Sequence, residues 1–209
     1  MSGKVPLDGE IKQVTVLFAD LRDFTPMTET TEPKRLVRMM NRYFKEMAEA
    51  VQDQGGLVLQ FIGDEIYAVF GAPLVLEDHP ARAFRAGRSM QKRLQELNLA
   101  LNTEGYPQLQ HGIGIHSGQV LAANIGSPDR LSYLLVGDTV NLASRLQGLT
   151  RDIGTEMIVS AATHSKLPSE DLKDIQLKKL EPVRVKGRQS LVEAYELEAL
   201  PEVGMNCGL

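Results

Sequence analysis

The chain has little of what marks several protein classes. Of its 209 residues only one, Cys207, is a cysteine, so no internal disulfide can form and the composition suits a reducing compartment such as the cytoplasm. No apolar stretch approaches the ~20 residues that a membrane-spanning helix needs, and the start, Met1 to Pro6, lacks the apolar segment of a secretory leader. Positive charge is not in surplus. The 23 Lys and Arg are outnumbered by 27 Asp and Glu, for a formal net charge of −4, and the basic residues are scattered, which argues against nucleic acid as a partner. His79, His111, His116 and His164 have no metal-ligand spacing, and no internal repeat or low-complexity tract is visible. What remains is a 43% hydrophobic chain of a length that fits one domain with a real core.

Hydrophobic periodicity places strands and helices in alternation. Lys12 to Ala19 reads as a buried strand ending at Asp20. Pro33 opens a helix whose apolar positions Val37, Met40, Phe44, Met47 and Val51 form one stripe, and Gly55-Gly56 ends it. Leu57 to Phe61 and Ile66 to Phe70 are the arms of a hairpin with Asp64 at its tip. A second long helix is expected over Glu77 to Leu101, with Ala83, Ala86, Met90, Leu94, Leu97 and Leu101 on its apolar side. Gly112 to His116 and Val120 to Ile125 read as two strands joined at Ser117-Gly118. A polar loop or arm, 126–130, precedes a third apolar run, Leu131 to Val136. A helix then runs from Asp138 through Leu149 and carries Asn141 and Arg145 on one face. One strand from Ile153 onward, a short helix near Ala161 to Leu167, and a final pair around Lys178 to Val185 and Leu191 to Leu197 complete the chain. The pattern predicts an α+β fold with a mixed, mainly antiparallel sheet packed with helices. The domain is expected over 1–200, with its core at about 12–197 and a disordered tail at 201–209.

Asp20 and Asp64 each end an apolar run, in Phe18-Ala-Asp-Leu-Arg-Asp-Phe-Thr25 and Phe61-Ile-Gly-Asp-Glu65. Hard divalent cations take oxygen ligands, and two such ions a few ångströms apart can activate a hydroxyl while neutralising the phosphate it attacks. Both aspartates therefore read as metal ligands. If a helix starts soon after Asp20, the amides between Leu21 and Thr25, that of Phe24 among them, face phosphate oxygens, because helix N-termini carry unpaired donors. Asp23 reads as a structural cap for that helix. Glu65 is expected to face away from Asp64 by strand alternation. The segment Gly112-Ile-Gly114 lies inside a strand pattern and lacks the third glycine of a dinucleotide loop.

Those two segments, together with Val136-Gly-Asp-Thr-Val-Asn-Leu-Ala-Ser-Arg145, resemble the catalytic domain of the class III nucleotidyl cyclases over roughly Lys12 to Leu197. The resemblance implies a ferredoxin-like core of the polymerase-palm type working as a head-to-tail homodimer with active sites at the interface. It implies conversion of a nucleoside triphosphate to its 3′,5′-cyclic monophosphate and pyrophosphate. By the same resemblance, two Mg²⁺ or Mn²⁺ ions per site are held by Asp20, Asp64 and the carbonyl of Leu21. Asn141 orients the ribose, and Arg145 meets charge growing on the α-phosphate. Lys186 holds the terminal phosphates, with Arg130 a second candidate for that task.

Gln60 and Leu134 occupy the positions where adenylate-forming members usually carry Lys and Asp or Thr, and where guanylate-forming members carry Glu and Cys. A Gln amide both donates and accepts, while Leu134 offers apolar contact alone. ATP is the expected substrate because no carboxylate is there to pair with the guanine N1 and N2 hydrogens, and GTP is the alternative. A diguanylate-cyclase-like enzyme, suggested by Ile62-Gly-Asp-Glu65, and a silent dimerisation module are the readings from other classes. The parent protein is expected to carry a sensor or membrane region elsewhere.

Overall fold

A computed structural model describes residues 9–127, 130–173, 175–182 and 191–197. Lys186, the far end of the expected 178–185 strand and the 201–209 tail lie outside the described residues. The chain runs β1 (Glu10–Leu21), α1 (Phe24–Thr30), α2 (Pro33–Asp53), β2 (Leu57–Ile62), β3 (Glu65–Phe70), α3 (His79–Thr103), β4 (His111–Ser127), β5 (Arg130–Val136), α4 (Asp138–Ile153), β6 (Met157–Ser160), α5 (Ala161–His164), a 3₁₀ turn (Ser169–Leu172), β7 (Leu177–Lys179) and β8 (Ala194–Leu197). The sheet order is β2-β3-β1-β4-β6-β8-β7, with β5 paired to β4. β1, α2, β2, β3, α3 and β4 thus form the βαββαβ unit of a ferredoxin-like core, with the first strand central. All pairings are antiparallel except β4 with β6.

Alternation along β1 splits the core into two layers. Leu17, Ala19 and Leu21 join the apolar faces of α2 and α3 on one side of the sheet. Val14, Val16 and Phe18 join Tyr67, Val69, Val120, Ala122 and Ala143 of α4 on the other. Helix α3 buries all six residues of its expected stripe. Helix α2 turns its stripe relative to expectation. It buries Met39, Met40, Tyr43, Met47, Ala50 and Val51, while Val37 stays exposed and Phe44 packs at the edge against Phe61, with ring centroids 4.4 Å apart. Tyr43 and Ala50 moved the centre of that face, and neither weighs heavily in an apolar count. The N-terminus of α2 is capped by the Glu32 carboxylate, which accepts from the Lys34 and Arg35 amides at 3.0 Å each.

The largest departure from the sequence reading is β4. It is one strand of 17 residues, not two strands with a turn at Ser117-Gly118. Its first half pairs with β6 and its second half with β5 along the same edge. The glycines serve helix packing instead. An added Cβ would meet Thr150 at Gly112, the backbone of Gln147 and Ala143 at Gly114, and Thr139 at Gly118, so α4 runs antiparallel along β4 with its backbone nearly touching the strand. Gly114→Ala places a methyl 2.2 Å from the Gln147 nitrogen and 2.4 Å from the Ala143 oxygen. Backbone on both sides cannot yield as a side chain can, so we expect a loss of about 3 kcal/mol, measurable as a lower urea midpoint at unchanged slope.

A chain of paired polar groups runs through the first layer. Thr15 Oγ1 lies 2.7 Å from both His79 Nδ1 and Ser117 Oγ, and the chain of hydroxyls continues through Thr163 and Ser160 to His116. Burial, with Lys166 nearby, pushes His79 down to about 4, so its ring is neutral near pH 7. His79 is thus a core residue, as its lack of metal spacing suggested.

Candidate active site

Asp20 is the penultimate residue of β1, on the same side of the sheet as Phe18, and Asp64 sits in the two-residue turn between β2 and β3, where Gly63 supplies the positive φ of 64°. The fold brings the two carboxyl groups into hydrogen-bond contact. Burial raises the Asp20 carboxyl to about 7, helped by that hydrogen bond and by the charges of Asp64 and Glu65, while Arg151 opposes the shift. Glu65 therefore does not stand apart as alternation suggested. The register Ala19↔Ile66 sets it beside Asp20, and its own carboxyl is raised by burial and by Asp64. Among the described residues no group of three or more His, Cys, Asp or Glu is arranged to hold a metal. The oxygen donors that could hold a cation here are the two carboxylates and the neighbouring Leu21 carbonyl.

Beneath this pair lies a buried support that the sequence did not signal. Tyr43, fully buried, has its phenol value pushed up by burial and then by Asp20 and Asp64. Its hydroxyl lies 3.2 Å from Nδ1 of His111, which burial and then Arg22 push down to about 3. Arg22, next along the chain from Leu21, is engaged within the fold. It donates from Nη2 to the carbonyls of Thr155 and Thr150, and its amide donates to Gln110 O at 2.8 Å. It straps the end of β1 to the C-terminal end of α4. Asp23 occupies a left-handed conformation with φ 55° at the start of α1 and makes no side-chain cap, contrary to the capping role expected of it. The amides of Phe24 and Thr25 lie in the first turn of α1, where no preceding helical carbonyl reaches them.

Asn141 and Arg145 stand elsewhere. The buried residues of α4 are Thr139, Leu142, Ala143, Leu146 and Thr150, which leaves Asn141 exposed and Arg145 half-buried. Neither makes a hydrogen bond or ion pair with a described residue. Asp20 is in register with Gly112, which lies against Thr150, so the carboxylates neighbour the C-terminal end of α4. Asn141 is nine residues back along that helix, about 14 Å at 1.5 Å per residue. The cation of α4 that acts on Asp20 is Arg151, not Arg145. Within one chain the carboxylate pair and Asn141 therefore stand at different points along α4.

Gln60 is exposed on β2 directly opposite Tyr67, and Leu134, 38% exposed, lies opposite Ala123 on β5. Arg130 opens β5 in register with Ser127, so the expected polar loop narrows to a hairpin. The side chain of Arg130 and all of Lys186 lie outside the described residues. Leu121, Ile125, Leu131, Leu134 and Val136 leave the β4–β5 hairpin with exposed apolar side chains. No helix among the described residues is long and apolar enough to cross a membrane.

Comparison with known proteins places this geometry. A family model described as the adenylate and guanylate cyclase catalytic domain matches residues 8–199. Adenylate cyclase 1 of Rhizobium meliloti is 33% identical over 186 residues, which are 89% of this chain and 27% of that protein. The adenylate cyclase of Anabaena cylindrica is 31% identical over 192 residues, 90% of this chain and 37% of that protein. The chain thus spans about a third of the length of these relatives. Among solved structures, the guanylyl cyclase Cya2 superposes with a TM-score of 0.83 at 32% identity, covering 94% of this chain and 96% of that one. The adenylyl cyclase CyaB from P. aeruginosa gives the same TM-score at 28% identity, covering 94% and 98%.

Proposed function

This chain belongs to the family of adenylate and guanylate cyclase catalytic domains, and from that premise we propose that it converts ATP to 3′,5′-cyclic AMP and pyrophosphate at two sites shared between the halves of a head-to-tail homodimer. The observation that carries the shared-site reading is that Asp20 and Asp64 lie together by the C-terminal end of α4, while Asn141 is exposed in its first turn and Arg145 stands one turn further on, at mid-helix, with neither side chain tied to a described residue. A second copy of the chain brings one half to the other. The exposed apolar residues of the β4–β5 hairpin support such an interface.

The donor set fits magnesium or manganese. It offers hard oxygens alone, and burial, with Asp64 and Glu65 close by, holds the Asp20 carboxyl protonated up to about pH 7, a penalty that a dication between the carboxyl groups relieves. Two such ions, when bound, supply the Lewis acidity that makes the ribose 3′-hydroxyl a nucleophile and screen the triphosphate. The remaining work falls to the chain itself. Asn141 fixes the ribose so that O3′ lies in line with the α-phosphorus, and Arg145 donates to the phosphoryl oxygens where charge accumulates. The Phe24 and Thr25 amides, Lys186 and Arg130 hold the β- and γ-phosphates, which depart as pyrophosphate when the O3′–Pα bond forms and the bridging bond breaks. Gln60 and Leu134 face the base.

Purified chain incubated with ATP and with GTP in Mg²⁺ or Mn²⁺, with products identified by mass, tests this reading. Cyclic AMP as the main product is expected. Preference for GTP would move the assignment to guanylate cyclase, the second reading, favoured by the absence of a Lys at position 60 and by the equal fit to the guanylyl cyclase structure. A cyclic dinucleotide, or no product, would remove the proposal.

A further inference from the structure

The strand register lines up Gln60, Tyr67, Phe18 and Gly114 as one row across β2, β3, β1 and β4. The row lies on the side of the sheet that carries Asp20, one step along β1 from it. Phe18 and Tyr67 stack with centroids 4.6 Å apart and planes at 10°. The Tyr67 residue is 8% exposed, and its buried hydroxyl has no hydrogen-bond partner among the described residues; the hydroxyl of Tyr133, close enough to act on it electrostatically, is buried and likewise unpartnered among them. Buried polar atoms are paired in the great majority of cases. Two such orphans, one of them in the row that begins at Gln60, therefore call for a partner that the described residues do not supply. Burial, then Tyr133, raises the Tyr67 phenol to about 12, so it remains a neutral hydroxyl that can both donate and accept.

We propose that the Tyr67 hydroxyl, with Tyr133 behind it, is a base-reading group that hydrogen-bonds the polar edge of the purine alongside Gln60. The inference rests on the reading of Gln60 as a base-facing residue. It explains how a site with the apolar Leu134 retains enough hydrogen-bonding capacity to hold a purine in one orientation. Tyr133 and Leu59 are partly buried and pack against the apolar cluster to which Tyr67 and Phe18 belong.

The test compares ATP with purine riboside triphosphate, which lacks the 6-amino group, in the full chain and in Tyr67→Phe. The substitution keeps the stacked ring and removes one oxygen. The kcat/KM ratio of ATP to the analogue is expected to fall about tenfold in Tyr67→Phe, with most of the change on ATP, while the melting temperature holds or rises because a buried orphan has been removed. An unchanged ratio in a folded variant overturns the assignment and leaves the hydroxyls to a trapped water. If the variant does not fold, the wild-type chain decides, since failure to prefer ATP over the analogue overturns the assignment equally. Should wild type turn over neither nucleotide, the cyclase reading fails by itself, and calorimetric Kd values for non-cyclisable analogues of the two nucleotides then decide on Tyr67 by the same ratio.

Discussion

Arg145→Ala is expected to reduce ATP turnover by about 10²–10³-fold, the usual consequence of removing one preorganised donor from a site of developing charge. The effect should fall on kcat more than on KM, because the guanidinium is assigned to charge that grows only as O3′ attacks. Stability should barely change. The Arg145 side chain has no hydrogen bond or ion pair with a described residue, and it is half-buried at the flank of α4 and not in its buried stripe, so truncation leaves nothing orphaned. A structural arginine, such as Arg93 with its ties to Glu46, Glu49 and Asp53, offers the contrast. Steady-state kinetics beside a melting curve separates the two behaviours.

Asp20→Asn should have an effect of similar size on turnover, at least about 10²-fold, since even groups that merely orient metal ligands are worth 10–100-fold. Its effect on stability runs the other way. In the metal-free protein the Asp20 carboxyl titrates at about 7, against an ordinary value of 3.8. An acid whose folded value lies above its unfolded one binds more protons folded than unfolded between those values, so the folded state loses stability as pH rises from about 4 to about 7. Asn carries no such proton. In EDTA the melting temperature of wild type should therefore decline across that window more steeply than that of Asp20→Asn. Addition of Mn²⁺ at pH 7.5 should raise wild type and leave the variant nearly unmoved. A wild-type curve parallel to the variant's, with no response to Mn²⁺, would contradict the placement of the two carboxyl groups.

The features legible in the sequence were those written in a short stretch of chain. The apolar stripe of α3 repeats within one helix, and Asp20 and Asp64 each close an apolar run, so their residue types and flanks announced them. The βαββαβ order followed from the alternation of periods. The features that escaped depend on segments far apart in sequence. Ser117-Gly118 carries the local signature of a turn, yet the strand runs straight through because Gly118 is needed for contact with Thr139. Gly112 and Gly114 matched no phosphate-loop pattern, and their purpose emerged only with α4 laid across them. Nothing near Arg22 in the sequence announced that its guanidinium meets the Thr150 and Thr155 carbonyls. Tyr43 and His111, 68 residues apart, gave no sign that they meet beneath the carboxylates. The separation of the carboxylates from Asn141 and Arg145 has no local signature either, and only the family resemblance, with its sites at a dimer interface, implied it before the path of α4 was known.

That separation gives the account its most direct test. Asp20→Asn chains and Arg145→Ala chains, each inactive alone, are mixed under conditions of subunit exchange, and heterodimers are verified with two affinity tags. Random pairing makes half of the dimers heterodimers, and each heterodimer of this two-fold assembly has one undamaged site, so about a quarter of wild-type turnover should return. Verified heterodimers with turnover no greater than the sum of the two mutants would show that the carboxylates and the arginine serve the same chain, and the shared site would be wrong.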